Sequence, residues 1–225
     1  GEETAKNLEK LQDKLPAFDT FQAKKIIKKE IGEIQYNNIL ELSEPIAAAS
    51  IAQVHIAKIK DENENKVVAI KILRPGVEKA IFSDLKFFKW CANFLSSIDK
   101  EFAFLRLSKA VDIFEELTKN EMDLRLEAAA ANELNENFKN DERFIVPKVY
   151  WELTTKRMLV TSWIDGIKIN DLDSLRSEKY NIETITKNSA EAFFLQVFRD
   201  GFFHADMHQG NIFINSNGQI VPVDY

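Results

Sequence analysis

The segment Val67-Val68-Ala69-Ile70-Lys71-Ile72-Leu73 constrains this chain more than any other, because it is apolar and rich in β-branched residues except for one lysine. Such a run reads as a strand. Side chains alternate along a strand, so Lys71 points the same way as Ala69 and Leu73. A lysine in that setting needs a snorkelling path to water at a sheet edge or an acidic partner. Taken alone, the edge position is the simpler account. The surrounding sequence makes the run part of a β-hairpin or meander from Pro45 to Leu73. It comprises the small-residue run Ala47-Ala48-Ala49-Ser50, a strand through Val54 and Ile56, the polar turn Asp61 to Lys66, and the lysine strand, ended by Arg74-Pro75-Gly76.

Outside that meander the pattern is mainly helical. Residues 4–31 read as two helices parted near Pro16, with Asp19 as N-cap of the second. After Gly76, the residues Ile81, Leu85, Phe88, Ala92 and Leu95 recur at near-helical spacing in a segment that also holds Phe82, Phe87, Trp90 and Phe94. The expectation is that these pack against the domain's own helices, with a lipid or partner-protein surface as the alternative. A long helix is predicted from about Ser108 to about Phe138, carrying Glu121, Asp123 and Glu127. Strands near Lys148 to Leu153 and Met158 to Trp163 lead to Asp165-Gly166, read as an interlobe connection, and the pattern is helical again through Phe198.

At 225 residues, 45% hydrophobic and 29% charged, the chain can bury a core in one large domain or two small lobes. No apolar stretch approaches the roughly 20 residues that span a bilayer, and the polar, acidic start is unlike a signal peptide. A net charge of −6, with Lys and Arg dispersed among Asp and Glu, argues against a nucleic-acid footprint. The single cysteine, Cys91, can form no internal disulfide, which suits a reducing, cytoplasmic compartment.

The chemistry concentrates at the C-terminal end. There His204-Ala205-Asp206-Met207-His208-Gln209-Gly210-Asn211 precedes a strand Ile212 to Ile214, the turn Asn215-Ser216-Asn217-Gly218 and a strand Gln219 to Val223. Closing that hairpin brings Asn211 and Asp224 together. A carboxamide oxygen beside a carboxylate suits Mg²⁺, which keeps several waters and takes its remaining ligands from substrate phosphates. Asp206 precedes Asn211 by the spacing at which a kinase catalytic loop sets an Asp at the nucleophile and an Asn on the metal. Alone, Asn211 or Asp224 reads as a turn residue; the combined spacing reads as a site. His204 and His208 read as structural hydrogen-bonding groups, since no third metal ligand accompanies them.

Ala-Ile-Lys preceded by valines matches the kinase strand whose lysine grips phosphate and pairs with a helix glutamate, and Glu127 is the expected partner. On one unbroken helix Asp123 shares the face of Glu127 and Glu121 is turned away; a solvated helix face is the bland account of all three. No glycine occurs between Gly32 and Gly76, so the glycine-rich loop of an ordinary kinase is missing. Ala47, Ala48, Ala49 and Ser50 occupy its place, small enough to let backbone N–H groups approach phosphate but predicted to be stiffer than glycine.

Together, the segments from Leu11 to Pro16, Pro45 to His55 and Val68 to Val77, with Glu121-Met-Asp123 and His204 to Asn211, resemble the UbiB family of atypical kinases over nearly the whole chain. The resemblance implies an α+β, protein-kinase-like two-lobed fold. It would comprise an N-terminal helical extension over 1–43, and an N-lobe over 44–164 with an inserted helix 78–98 and a long helix 108–138. A partial, mainly helical C-lobe over 165–225 would complete it. It implies ATP or ADP with Mg²⁺ as ligands, with Asp206, Lys71 and Glu127 catalytic and Asn211 and Asp224 on the metal. Ala47, Ala48, Ala49, Ser50, Lys71, Glu121 and Asp123 would lie at the nucleotide. It further implies ATPase or phosphotransferase activity in support of ubiquinone or other isoprenoid-lipid biosynthesis, lipid-modifying enzymes as partners, and peripheral membrane association.

This sequence departs from the family pattern in three ways. The Lys-x-Gly-Gln segment that would precede residue 1 is absent. The chain stops at Asp224-Tyr225, with Tyr225 for the usual Phe, where the family continues with a Gly and further helices, so it reads as a fragment. A C-terminal hydrophobic anchor is not found. Two rival readings stand beside the main one. An aminoglycoside-phosphotransferase-like small-molecule kinase shares the His-x-Asp loop but not the alanine-rich run, and a noncatalytic nucleotide-sensing scaffold would fit the missing glycines.

Overall fold

The computed structural model describes residues 16–61, 64–98, 105–203 and 208–225. The first predicted helix, before Pro16, lies outside the described residues. Helix α1 (Thr20–Tyr36) starts at Asp19, whose carboxylate accepts the Phe21 N–H at 3.1 Å, and is interrupted at Gly32, where φ is 77°. Strands β1 (Ile39–Ala48), β2 (Ala52–Asp61), β3 (Glu64–Leu73) and β4 (Met158–Ser162) then form an antiparallel sheet in the order β1-β2-β3-β4. The sheet begins earlier than the predicted boundary at residue 44, because Ile39 to Leu42 pair with Ile59 to Ala57. That pairing is a long-range choice which local composition does not announce.

Between β3 and β4 come α2 (Val77–Ile98), α3 (Leu107–Glu121) and α4 (Leu124–Phe138). The single helix expected from about 108 to 138 is therefore two. The chain leaves helical geometry at Asp123 (φ −116°, ψ 90°), whose side chain accepts the Arg125 N–H at 3.2 Å and so opens a new helix. The strand expected over Lys148 to Leu153 is reduced to one bridge, Val149 with Thr161, and a 3₁₀ turn Trp151–Leu153. A second sheet, β5 (Gly166–Lys168), β6 (Ile212–Asn215) and β7 (Ile220–Pro222), stands with α5 (Leu172–Ser177) and α6 (Ile182–Phe194). A wide π-type turn, Leu195–Asp200, follows α6. No described helix is long and apolar enough to cross a membrane.

Alternation along β3 and β4 divides the core. Val68, Ile70, Ile72, Met158 and Val160 face Ala23 and Ile27 of α1 in one cluster. Leu73 and Leu159 join Leu124, Ala128, Ala131 and the apolar residues of β6 and β7 in the other. Lys71 belongs to the second side and so points towards α4 and the β6–β7 hairpin. The expectation that the aromatic residues of α2 pack against the domain's own helices fails for several of them. Leu85 and Ala92 are buried, whereas Phe87, Trp90 and Phe94 are 60%, 61% and 52% exposed.

Ile70 is fully buried while its neighbour Val67 is exposed. Chemical denaturation should show Ile70→Ala losing about 2–5 kcal/mol of stability through the cavity it leaves. Val67→Ala is expected to stay within about 0.5 kcal/mol of the parent. Equal losses would mean that the two faces of β3 are not divided in this way.

Candidate active site

Sheet pairing sets the frame of the site. Ala47 pairs with Val54, Val54 with Lys71 and Lys71 with Leu159, so one cross-strand row runs through Lys71 on the inner face. From that row the ammonium reaches Glu127 of α4 at 2.7 and 2.8 Å and Asp224, just beyond β7, at 2.5 Å. The hairpin supplies the other half. Gly218 adopts φ 76° in the turn and Asn215 accepts its N–H at 2.9 Å, which folds β6 onto β7 with Ile212 opposite Pro222. Val223 then donates to the Asn211 carbonyl at 2.9 Å, and the Asn211 amide donates to the Asp224 carboxylate at 3.1 Å.

The structure thus brings together Lys71, Glu127, Asn211 and Asp224, residues far apart in sequence. Asp206 and His204 lie outside the described residues. His208 is exposed, with its Nδ1 accepting the Gly210 N–H at 3.1 Å. Asp123 does not join the cluster. It caps α4 and holds Arg125 in a two-pronged pair at 2.8 and 2.6 Å. Glu121 is exposed at the end of α3 and bonds to none of these residues. A shared helical face for Asp123 and Glu127 is replaced by a cap and a first-turn residue, which lets α4 start where Glu127 can meet Lys71.

One ammonium serves two carboxylates. Burial opposes the charge on Lys71, but Glu127 and Asp224 outweigh it and raise its pKa. Burial, reinforced by the charge of Asp224 and opposed by Lys71, pushes Glu127 up to about 7. Burial, with the charges of Glu127 and Asp224, also pushes the Tyr225 phenol well up, and this neutral hydroxyl donates to the Pro222 carbonyl at 2.7 Å. Among the described residues no group of three or more His, Cys, Asp or Glu forms a metal cage. The Asp224 carboxylate and the neighbouring Asn211 side chain, whose amide oxygen is also a hard donor, do fit a cation such as Mg²⁺ that draws its other ligands from water and phosphate.

The alanine-rich run is only partly a loop. Ala47 and Ala48 are paired in β1, and the turn proper is Ala49-Ser50-Ile51-Ala52, closed by Ala49 N–H donating to the Ala52 carbonyl at 2.9 Å. None of its residues has positive φ, which is the conformation alanine tolerates. The Ser50 and Ile51 N–H groups make no hydrogen bond with described residues.

Arg74 holds this turn, and Gln53 holds the N-terminal segment that Arg74 also reaches; sequence reading singled out neither. Arg74 donates its backbone N–H to the Ile51 carbonyl at 2.8 Å, its Nε to the Ala49 carbonyl at 3.0 Å and its Nη1 to the Pro16 carbonyl at 2.9 Å. Gln53, buried on the α1 side of β2, binds both backbone groups of Phe18, at 2.9 and 3.2 Å. Its amide nitrogen also meets Nε2 of buried His55 at 2.8 Å, and His55 Nδ1 meets the Ser43 carbonyl at 2.8 Å. Burial lowers the His55 pKa and keeps the ring neutral, as an acceptor from Gln53 requires. The signal available in the sequence was a polar pair, Gln53 and His55, on the face of β2 that otherwise reads as core.

These contacts carry two expected outcomes. Amide exchange in the Ala49 to Ala52 turn should quicken in Arg74→Ala while α4 is unchanged; protection that survives the substitution would show that Arg74 is not what holds the turn. Between about pH 4.5 and about 7 folded Glu127 keeps a proton that the unfolded chain releases, so its contribution to stability falls as pH rises through that window. Thermal melts of the parent should therefore drop relative to Glu127→Gln from pH 5 to 7, and parallel curves would count against a raised Glu127.

The whole chain has informative relatives. A family model described as the ABC1 atypical kinase-like domain matches residues 10–225. A protein named "Probable protein kinase UbiB" from Marinobacter nauticus is 39% identical over 98% of this chain and 40% of its own length. One of the same name from Shewanella woodyi is 37% identical over 95% of this chain and 39% of its own length. The chain therefore spans about two-fifths of these relatives. Among solved structures, the complex of Rv3197 with erythromycin from Mycobacterium tuberculosis superposes with a TM-score of 0.77 at 26% identity, covering 93% of this chain and 52% of that one. Sheet, helices and match together place this chain in the ABC1 atypical kinase-like family, with a kinase-like α+β fold.

Proposed function

We propose that this domain binds an adenine nucleotide with Mg²⁺ and either hydrolyses it or transfers its terminal phosphoryl group. The observation that carries the reading is the convergence of Lys71, Glu127, Asn211 and Asp224 from one strand, one helix and one hairpin. In this reading Lys71 holds phosphate oxygens and Glu127 fixes the lysine's position. Asn211 and Asp224 hold the cation, whose charge, when bound, neutralises phosphate. The Ser50 and Ile51 N–H groups offer donors at the tip of the covering turn. Asp206 stands for the group that receives the nucleophile's proton. Lys71 and Asp224 contact each other at 2.5 Å without ligand, so each provides the counter-charge that phosphate and cation would otherwise bring. Support of ubiquinone or isoprenoid-lipid synthesis, with peripheral membrane association, is the physiological setting that the relatives' name suggests for this site.

A thermal-shift titration with ATP and ADP, with and without Mg²⁺, tests the reading. Ligand at 100 times its Kd should add roughly 2.7 kcal/mol, a rise of several degrees. The rise should require Mg²⁺ and vanish in Lys71→Ala and Asp224→Ala. Absence of any shift overturns the site. A shift without ATP hydrolysis favours a nucleotide-sensing scaffold, the reading to which the glycine-free turn lends weight, and hydrolysis that persists in Asp206→Asn counts against Asp206 as the catalytic group.

A further inference from the structure

Helices α2 and α3 form an antiparallel pair, with Phe82 beside Lys119 at one end and the ion pair Lys89 to Asp112 further along. Of the 23 large apolar residues exposed among the described residues, ten belong to this pair and the residue that leads into α3. At 100° per residue, Phe87, Trp90, Phe94 and Ile98 fall along one side of α2. Lys86, Asn93 and Ser97 fall on another, and Lys89 points to the back. The rings of the first side are already ordered. Phe87 and Trp90 stack with centroids 6.2 Å apart, and Trp90 and Phe94 at 5.6 Å with planes 7° from parallel. Beside this ridge runs a groove of about 380 Å³ between the helices, lined by Phe88, Cys91 and Leu95 from α2 and Leu107, Ala110 and Phe114 from α3.

We infer that this face is an interface between two copies of the chain. Ten such side chains, each about half exposed, offer roughly 1,000 Å² of apolar surface, above the roughly 300–600 Å² of the largest patch on a typical monomer. That matches the roughly 800 Å² per partner of a stable interface. Shape favours a copy over other occupants. A ridge and a parallel groove side by side are self-complementary, so a two-fold axis seats each ridge in the other groove, as helix pairs pack. From Phe87 to Ile98 no charged residue lies on ridge or groove: Asp84 stands one turn earlier, and Lys89 is paired at the back. A ridge that is stacked before association has less side-chain freedom to lose. An anionic lipid surface fits less well, because the chain carries a net charge of −6.

Sedimentation velocity on the 225-residue chain from about 1 µM to about 100 µM tests the inference. The expected result is a concentration-dependent doubling of mass. It should be abolished by Trp90→Glu and by Phe94→Gln, both at exposed positions, and kept in Phe198→Glu, an exposed aromatic elsewhere. Alkylation of Cys91 should slow with concentration in the parent and not in Trp90→Glu. A chain that stays monomeric across the range, or a dimer that survives both ridge substitutions, overturns the inference. A monomer that instead co-sediments with phosphatidylcholine vesicles through Trp90 also overturns it and assigns the face to lipid.

Discussion

Lys71 carries one positive charge between the carboxylates of Glu127 and Asp224, and it comes from the run Val67 to Leu73 of β3, whose other members are apolar. An unpaired ammonium on the inner face of that sheet would cost several kcal/mol, so the fold must deliver acids to it. Helix α4 delivers one and the β6–β7 hairpin the other. The start of α4 at Asp123, the pairing of β3 with β4 and the Asn215–Gly218 turn all serve this convergence.

The alanine-rich turn obeys a different constraint. Glycine-rich covering loops reach phosphate through backbone conformations that alanine avoids. Here the chain keeps ordinary backbone angles and obtains its shape from outside: Arg74 grips the turn from the end of β3, and Gln53 ties the segment from Pro16 to Phe18 against β2. The N-terminal segment, the turn and the lysine strand are therefore fastened as one unit. Rigidity that glycine would forgo is gained through side chains that cross between elements.

The lysine strand, its β2 partner and the C-terminal hairpin were legible in sequence because their signal is local, whereas the reach of β1 back to Ile39 and the loss of a strand over Lys148 to Leu153 were not. β-Branched runs, a polar turn and an Asn-Gly hairpin are features of a few adjacent residues, and a hairpin's open ends must meet wherever the rest of the chain goes. That is why the neighbourhood of Asn211 and Asp224 could be read in advance. The break at Met122 and Asp123 was not legible, since the flanking residues have helical spacing throughout and only the capping geometry of Asp123 separates α3 from α4. The exposure of Phe87, Trp90 and Phe94 was likewise hidden: apolar periodicity shows that a helix has an apolar side, not what lies against it.

By itself, the sequence determined the lysine strand with its polar turn, the C-terminal hairpin, the residue types of a kinase-like site and the family to which the motifs belong. Those follow from short-range stereochemistry and from spacing along the chain. Tertiary structure alone decided that Lys71 lies between Glu127 and Asp224 while Asp123 caps a helix and Glu121 stands apart. It also decided that Arg74 holds the alanine-rich turn and that the aromatic side of α2 faces outwards. Each of these depends on which elements meet in space, and on charges and apolar surfaces that have no partner until they do.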